Sequence, residues 1–196
     1  MKSVYTIGHS NHTLEHFVNL IMAHEISLIA DVRSVPYSRF AQQFNHKAIQ
    51  ASLGLYNINY EYMGDRLGGK FIDPALLTDG GLPDFERLIN NDSFCNGLDE
   101  IIKKIEKGSK LALMCAEKEP QNCHRFMLLS RALSKRSVQA VHILADGSVI
   151  DNDTLLVTLS SGNKRNNEKQ LDLFEIETFD ADAVYESLMS KTMKKR

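Results

Sequence analysis

Short apolar runs alternate along this chain with stretches in which apolar residues recur every three or four positions. The runs predict buried strands at residues 4–7, 28–32, 58–63, 111–114 and 139–144. The three-and-four spacing predicts helices from about residue 13, over 46–53, over 84–107 with a break near 90–92, and over 126–133. A strand, a helix and a strand of these lengths form a βαβ unit with parallel strands. The pattern therefore predicts a single three-layer α/β domain with a mainly parallel, Rossmann-like sheet.

The pattern changes after Leu159. Residues 160–169 contain no apolar side chain, which is typical of a linker. An amphipathic stretch over 184–189 then precedes a basic end. The predicted organisation is an α/β domain over 1–159, a polar linker over 160–169, and a tail over 170–196 that ends in a short basic helix.

Composition restricts the location and the partners of the protein. The formal net charge of −2 argues against bulk electrostatic binding of nucleic acid but allows a local basic groove. The three cysteines are an odd number, which favours a reducing compartment over a disulfide framework. No run approaches the ~18 apolar residues of a membrane span, and no cleavage signature opens the chain. We expect a soluble cytoplasmic protein without a membrane partner, and the sequence gives no signal for its oligomeric state.

Reactive residue types concentrate between Cys115 and Arg125, where two cysteines, a histidine, an arginine and two glutamates follow a buried strand. Pro120 delays the next helix, and Asn122 is a good N-cap residue. Cys123, His124 and Arg125 would then occupy the first helical turn, whose N–H groups favour an anion. This stretch is predicted to be a functional site.

Ligands bind beyond the carboxyl ends of the strands in parallel sheets. That rule brings residues from three strand ends to one edge and predicts a pocket lined by His9, Ser10, Asp31, Arg33, Glu117, Cys123, His124 and Arg125. Arg33 and Arg125 would face one anion, since guanidinium groups suit such ligands. The alternative is a structural salt-bridge network of both arginines with Asp31 and Glu117.

Three of these residues are candidates for catalysis. His9 and Glu117 are the predicted general acid and base. Cys123 is the predicted nucleophile, because a helix N-terminus favours the thiolate. The structural alternative for Cys123 is a packed residue under the loop, and Cys115 is equally compatible with packing.

The loop over residues 34–44 interleaves cations with aromatic rings. Arg39 lies there among Tyr37, Phe40 and Phe44, a combination that suits phosphates and stacked bases. Arg39 is therefore a predicted substrate-binding residue. By contrast, Gly68-Gly69-Lys70 lacks the spacing of a P-loop and is predicted to be part of a flexible turn over 64–70.

His9, Cys115, Cys123 and His124 could converge as a zinc site. The eight-residue gap between the two cysteines is not the short spacing of structural zinc sites, so no metal is predicted. The sequence identifies no other cofactor.

Four motifs in this order resemble the domain-of-unknown-function family numbered 488. They are Thr6-Ile7-Gly8-His9-Ser10, Asp31-Val32-Arg33 with Pro36 and Ser38, Leu67-Gly68-Gly69, and Cys115-Ala116-Glu117 with Cys123-His124-Arg125. The resemblance covers residues 4–147 and implies a compact α/β domain with a shared site, but no established reaction. A fainter likeness connects the chain to rhodanese-type sulfurtransferases and cysteine-based phosphatases. Their arginine six residues after the cysteine is replaced here by Gln121, and Glu117 and Glu119 would repel a substrate anion.

The segment Gln170-Leu171-Asp172-Leu173-Phe174 resembles the pentapeptide by which bacterial DNA-processing proteins bind the sliding clamp. An extended peptide with Leu and Phe anchors after a polar linker suits that task. The alternative is an edge strand over 171–176. Together with the predicted pocket, this segment suggests an enzyme of DNA maintenance or repair that acts on a nucleotide or nucleic-acid substrate. The rival hypotheses are a cysteine-dependent sulfur-transfer or redox enzyme and a non-catalytic anion- or nucleotide-binding module.

Overall fold

A six-stranded sheet organises the fold in the computed structural model, which describes residues 2–70, 73–162 and 180–193. The strands are β1 (Lys2–Gly8), β2 (Leu28–Asp31), β3 (Asn59–Tyr62), β4 (Leu111–Cys115), β5 (Val138–Ile143) and β6 (Val149–Asp151). Their order is β3-β2-β4-β1-β5-β6. All neighbours are parallel except β5 and β6, which are antiparallel. The predicted α/β class with a mainly parallel sheet is confirmed.

Helices cover the sheet on both faces. They are α1 (Leu14–Ala23), α2 (His46–Gly54), α3 (Gly64–Leu67), α4 (Phe85–Ile89), α5 (Asp92–Glu106), α6 (Arg131–Ser134), α7 (Asn152–Gly162) and α8 (Ala181–Met193). A π-helical segment, Arg125–Ser130, leads into α6. Successive strand residues point to opposite faces, so β4 sends Leu111 and Leu113 into one core and Ala112 and Met114 into the other.

Local signals explain the positions of several helix ends. Thr13 caps α1 by accepting a hydrogen bond from the His16 N–H at 3.1 Å. Gly108, with φ of +90°, follows α5 and allows the chain to turn into β4. The turn predicted over 64–70 is wrong in its first half, because residues 64–67 form the short helix α3.

The end of the domain differs from the organisation predicted by composition. Helix α7 continues to Gly162, past the predicted start of the linker. Helix α8 buries Tyr185 and Met189 in the same core as β4. Residues 163–179, which include most of the predicted linker and the segment 170–174, lie outside the described residues. Their assignment stays a prediction.

None of the helices in the described ranges is both long and apolar enough to cross a membrane.

Candidate functional site

The site lies where three neighbouring strands, β2, β4 and β1, end at the same edge of the sheet. The chain after β1 stays hydrogen-bonded to the chain after β4, since the His9 N–H donates to the Cys115 carbonyl at 2.9 Å. The chain after β2 does the same, with the Val32 N–H donating to the Met114 carbonyl at 3.0 Å. The side chains that follow the three strands therefore meet at one place, as expected for parallel sheets.

A buried ion pair joins Asp31 and Arg33. The Arg33 Nε donates to Asp31 Oδ1 at 2.8 Å and its Nη2 donates to Oδ2 at 2.5 Å. Asp31 Oδ2 also accepts a hydrogen bond from the Tyr60 hydroxyl at 2.6 Å, and Arg33 Nη2 also donates to the Phe44 carbonyl at 2.8 Å. Burial opposes the charge of Arg33, but the bonds to Asp31 raise the pKa of the guanidinium. The arginine is held rigidly in its charged form.

His9 supports this arginine. Its Nε2 lies 3.0 Å from Arg33 Nη1, and its Nδ1 lies 2.7 Å from the Ser10 carbonyl oxygen. A guanidinium only donates and a carbonyl only accepts, so Nδ1 carries the proton and Nε2 accepts. Burial and the charge of Arg33 lower the pKa of His9 to about 4, which keeps the ring neutral. Since both nitrogens are engaged, this geometry gives His9 the role of positioning Arg33 and leaves the predicted acid–base role a prediction.

Arg125 is fully buried and is bonded to the loop that follows β4. Its Nη1 donates to the Glu117 carbonyl at 2.6 Å and its Nη2 donates to the Lys118 carbonyl at 2.9 Å. The predicted arrangement of Arg33 and Arg125 around one anion gains no support here, because Arg125 is fully buried and does not line the pocket that Arg33 lines. Gly8 permits this loop to approach, since a Cβ atom at that position would lie 1.8 Å from the Glu117 oxygen.

The helix after this loop begins later than predicted. Pro120–Asn122 forms a 3₁₀ turn, and Cys123 has an extended backbone with φ of −134° and ψ of 146°. Cys123, and not Asn122, caps the helix, since its sulfur accepts a hydrogen bond from the Arg125 N–H at 3.5 Å. Cys123 is therefore the residue just before the first helical turn, its sulfur contacts a backbone N–H of that turn, and the nucleophilic role predicted for it stays a prediction.

Cys115, Cys123 and His124 form a compact buried cluster. The two sulfur atoms are 2.7 Å apart, and His124 Nδ1 lies 3.7 Å from Cys115 Sγ and 3.6 Å from Cys123 Sγ. The other ring nitrogen of His124, Nε2, lies 3.0 Å from the Val32 carbonyl oxygen. Glu117 Oε2 is 2.8 Å from Cys115 Sγ. Burial raises the pKa of the Cys115 thiol well above its ordinary value.

A pocket of about 650 Å³ opens beside this cluster. Its lining residues are Arg33, Ser34, Val35, Tyr37, Gly69, Lys70, Cys115, Ala116, Glu117 and His124. Its volume is within the range of small-molecule sites. Gly69 packs against the His124 ring so closely that a Cβ atom would lie 2.7 Å from it.

Two further predicted residues, Ser10 and Arg39, do not line this pocket. Ser10 is half-buried with φ of +48°, and its hydroxyl donates to Asn11 Oδ1 at 3.2 Å. Arg39 is exposed and is not a lining residue. The sequence pattern did not identify Lys70 or Tyr60 as residues of the site. The Gly-Gly-Lys sequence was visible, but only the fold brings its lysine to the pocket that Arg33 also lines.

Comparison with known proteins gives one match. The profile of the family described as "Domain of unknown function DUF488" matches residues 13–132. No curated protein and no solved structure matches the chain significantly.

Proposed function

Because the chain belongs to the DUF488 family, whose description assigns no reaction, we propose a function from the site itself: an enzyme that acts on a nucleotide or another phosphate-bearing substrate. One observation carries this proposal. A single pocket is lined both by two cations, Arg33 and Lys70, and by the reactive groups of Cys115, Glu117 and His124.

The two cations of the pocket, Arg33 and Lys70, are suited to binding a phosphate group. Asp31, His9 and Phe44 engage four of the five guanidinium N–H groups of Arg33. The fifth, on Nη1, belongs to a side chain that lines the pocket. Lys70 is exposed at the same pocket, and its own backbone N–H is held by the Ser34 hydroxyl at 2.9 Å. A fixed guanidinium and a flexible ammonium together can bind two oxygens of one phosphate.

The pocket also offers a surface for a base. Tyr37 and Val35 line it and are 65% and 59% exposed. An exposed tyrosine in a pocket that also contains cations suits a stacked nucleobase. This arrangement favours a nucleotide over inorganic phosphate.

Glu117 is the candidate base of the reaction. It is the one carboxylate among the described residues that line the pocket, and it is half-buried. A carboxylate in that place can accept a proton from water or from a substrate hydroxyl.

Replacing Lys70 by methionine tests the proposal. We expect the Kd of a mononucleotide such as AMP to rise about tenfold, which corresponds to the loss of one charged contact of about 1.4 kcal/mol. Isothermal titration calorimetry measures this change. Lys103→Met is the matched control, because Lys103 is an exposed lysine on α5 and does not line the pocket. Adenosine, which lacks the phosphate, should bind both variants and the natural chain equally weakly. Equal affinity for AMP and adenosine would contradict the proposal.

We also propose that residues 170–174 bind the bacterial sliding clamp, which would bring the enzyme to sites of DNA maintenance in the cytoplasm. The support is the sequence Gln-Leu-Asp-Leu-Phe, with apolar anchors at Leu173 and Phe174. We expect the double variant Leu173→Ala/Phe174→Ala to lose clamp binding in surface plasmon resonance. A double variant of polar neighbours, Asn166→Ala/Asn167→Ala, should retain it. Undiminished binding by the Leu173/Phe174 variant would exclude this recruitment.

A further inference from the structure

We infer that Cys115, Cys123 and His124 bind one zinc ion at the floor of the pocket. Three donor atoms of types that zinc prefers, two sulfurs and an imidazole nitrogen, all lie within 4.8 Å of one another. All three residues are buried, with exposed fractions of 2%, 1% and 8%. They come from two separate segments, the end of β4 and the start of the following helix, so the fold and not the local sequence brings them together.

The hydrogen bond of His124 orients its lone pair toward the sulfurs. The Val32 carbonyl can only accept, so Nε2 carries the proton and Nδ1 has the free lone pair. Nδ1 is the atom that faces both cysteines. A histidine that binds zinc usually donates its other N–H to a carbonyl or carboxylate in this way. Gly69 packs on the ring and restricts its rotation.

The distances fit an ion between these atoms. Tetrahedral zinc, with bonds of ~2.3 Å to sulfur and ~2.05 Å to nitrogen, places sulfur and nitrogen about 3.6 Å apart. The two Nδ1–Sγ distances here are 3.6 and 3.7 Å. The same geometry places two sulfurs about 3.8 Å apart, so the observed 2.7 Å must increase by rotation of the cysteine side chains. Binding releases the thiol protons to solvent, and the two thiolates then repel each other less because the ion lies between them.

A disulfide between the same cysteines is the main rival. The observed sulfur–sulfur separation of 2.7 Å lies between the ~2.05 Å of a disulfide bond and the ~3.8 Å of two zinc-bound sulfurs, so this distance favours neither state. A disulfide would also leave the lone pair of His124 Nδ1 facing two sulfurs that cannot donate to it. The orientation of His124 therefore favours the ion.

The fourth position of the ion would face the pocket. Cys115 and His124 line the pocket, whereas Cys123 does not. Glu117 lies on this side at 2.8 Å from Cys115 Sγ but is not one of the mutually close donor atoms. Two cysteines, one histidine and an open position form a ligand set typical of catalytic zinc. Water bound there could lose its proton to the Glu117 carboxylate, which would create the nucleophile that the proposed function needs. Only this catalytic use rests on the proposed function, whereas the metal site does not.

Metal analysis of the full chain, purified with a reductant, tests the inference. We expect about one zinc per chain by inductively coupled plasma mass spectrometry. Cys115→Ser, Cys123→Ser and His124→Gln should each reduce the content by about tenfold or more, since ligand loss weakens zinc binding strongly. Cys95→Ser is the matched control and should retain the zinc, because the Cys95 sulfur donates to the Ile89 carbonyl at 3.0 Å, away from the cluster. Circular dichroism checks that each variant is folded.

Titration of the reduced natural chain with zinc gives a second readout that does not depend on any variant. Failure of the reduced protein to bind zinc would overturn the inference, as would equal zinc loss in Cys95→Ser. A chain that binds zinc but not AMP would refute the proposed function and leave the metal site standing. A chain that binds AMP but no zinc would refute the metal site and leave the proposed function standing.

Discussion

Replacing Asp31 by asparagine is expected to lower the free energy of unfolding by about 3–5 kcal/mol, because the buried Arg33 guanidinium loses its counter-charge. Asp31 is fully buried, and Arg33 is 5% exposed. Asparagine keeps the shape of the side chain, but its amide nitrogen cannot accept a hydrogen bond. One of the two donor pairs on the aspartate oxygens, which come from Arg33 and Tyr60, would then lose its acceptor.

An exposed ion pair of the same chemistry provides the control. Arg136 Nη1 lies 2.7 Å from Asp99 Oδ1, but these side chains are 27% and 54% exposed. We expect Asp99→Asn to cost less than about 1 kcal/mol, as is typical of surface pairs. Urea denaturation followed by circular dichroism measures both variants, since the chain has no tryptophan for fluorescence. Equal destabilisation of the two variants would contradict the prediction.

A double variant separates the charge from the packing. Arg33→Met removes the guanidinium that Asp31→Asn leaves unpaired, so the combined cost should be smaller than the sum of the two single costs. The thermal midpoint of the Asp31→Asn variant should fall by roughly 10 °C, at ~2–4 °C per kcal/mol for a chain of this size. Strictly additive costs would mean that the two side chains do not stabilise each other.

The location of the site follows from the sequence, but the bonding within it does not. Asp31, Arg33 and Glu117 each follow an apolar run, and the rule for parallel sheets brings them to one edge. The rule does not say whether an arginine at that edge binds a ligand or a neighbour. Arg33 bonds to Asp31 only two residues away and still lines the pocket, and neither fact is encoded in residue spacing.

The proposed zinc site shows the same limit more clearly. Cys123 follows Cys115 by eight positions, and the short cysteine spacing by which a sequence indicates a structural zinc site is therefore absent. The loop between them folds back because a 3₁₀ turn at Pro120 and two bonds from Arg125 hold it. These bonds depend on tertiary structure, so residue spacing alone does not predict that the two cysteines meet.

The C-terminal part was hard to predict for a different reason. Strand β6 has three residues, too few for an apolar alternation to be recognised. The buried contribution of helix α8 to the core consists of Tyr185 and Met189, four residues apart. Arg131, the first residue of α6, holds α8 because its Nε donates to Asp182 Oδ1 at 2.8 Å. Its guanidinium carbon lies 3.7 Å from the centre of the Phe85 ring. Composition alone does not reveal such contacts.

Replacing Arg125 by methionine is expected to lower the free energy of unfolding by about 2–4 kcal/mol, because two loop carbonyls lose their buried donor. Methionine fills much of the same space, so the loss reports the hydrogen bonds more than a cavity. Part of the cost is offset, since Arg125 Nε is buried without a partner among the described residues and its removal relieves that penalty. The free energy of unfolding of Arg125→Lys should lie between those of the natural chain and Arg125→Met, because one ammonium reaches fewer carbonyls than a guanidinium.

Arg87 makes the matched comparison possible. Its Nη1 also donates to two backbone carbonyls, those of Ala75 at 3.2 Å and Leu77 at 2.9 Å, but the side chain is 52% exposed. Water can replace those bonds, so we expect Arg87→Met to cost less than about 1 kcal/mol. Urea denaturation measures the loss in free energy of unfolding for Arg125→Met and for Arg87→Met. If Arg125 fixes the loop between the two cysteines, Arg125→Met should also weaken zinc binding in the folded protein, whereas Arg87→Met should not. A stable Arg125→Met variant with unchanged zinc affinity would show that the loop holds its shape without this arginine.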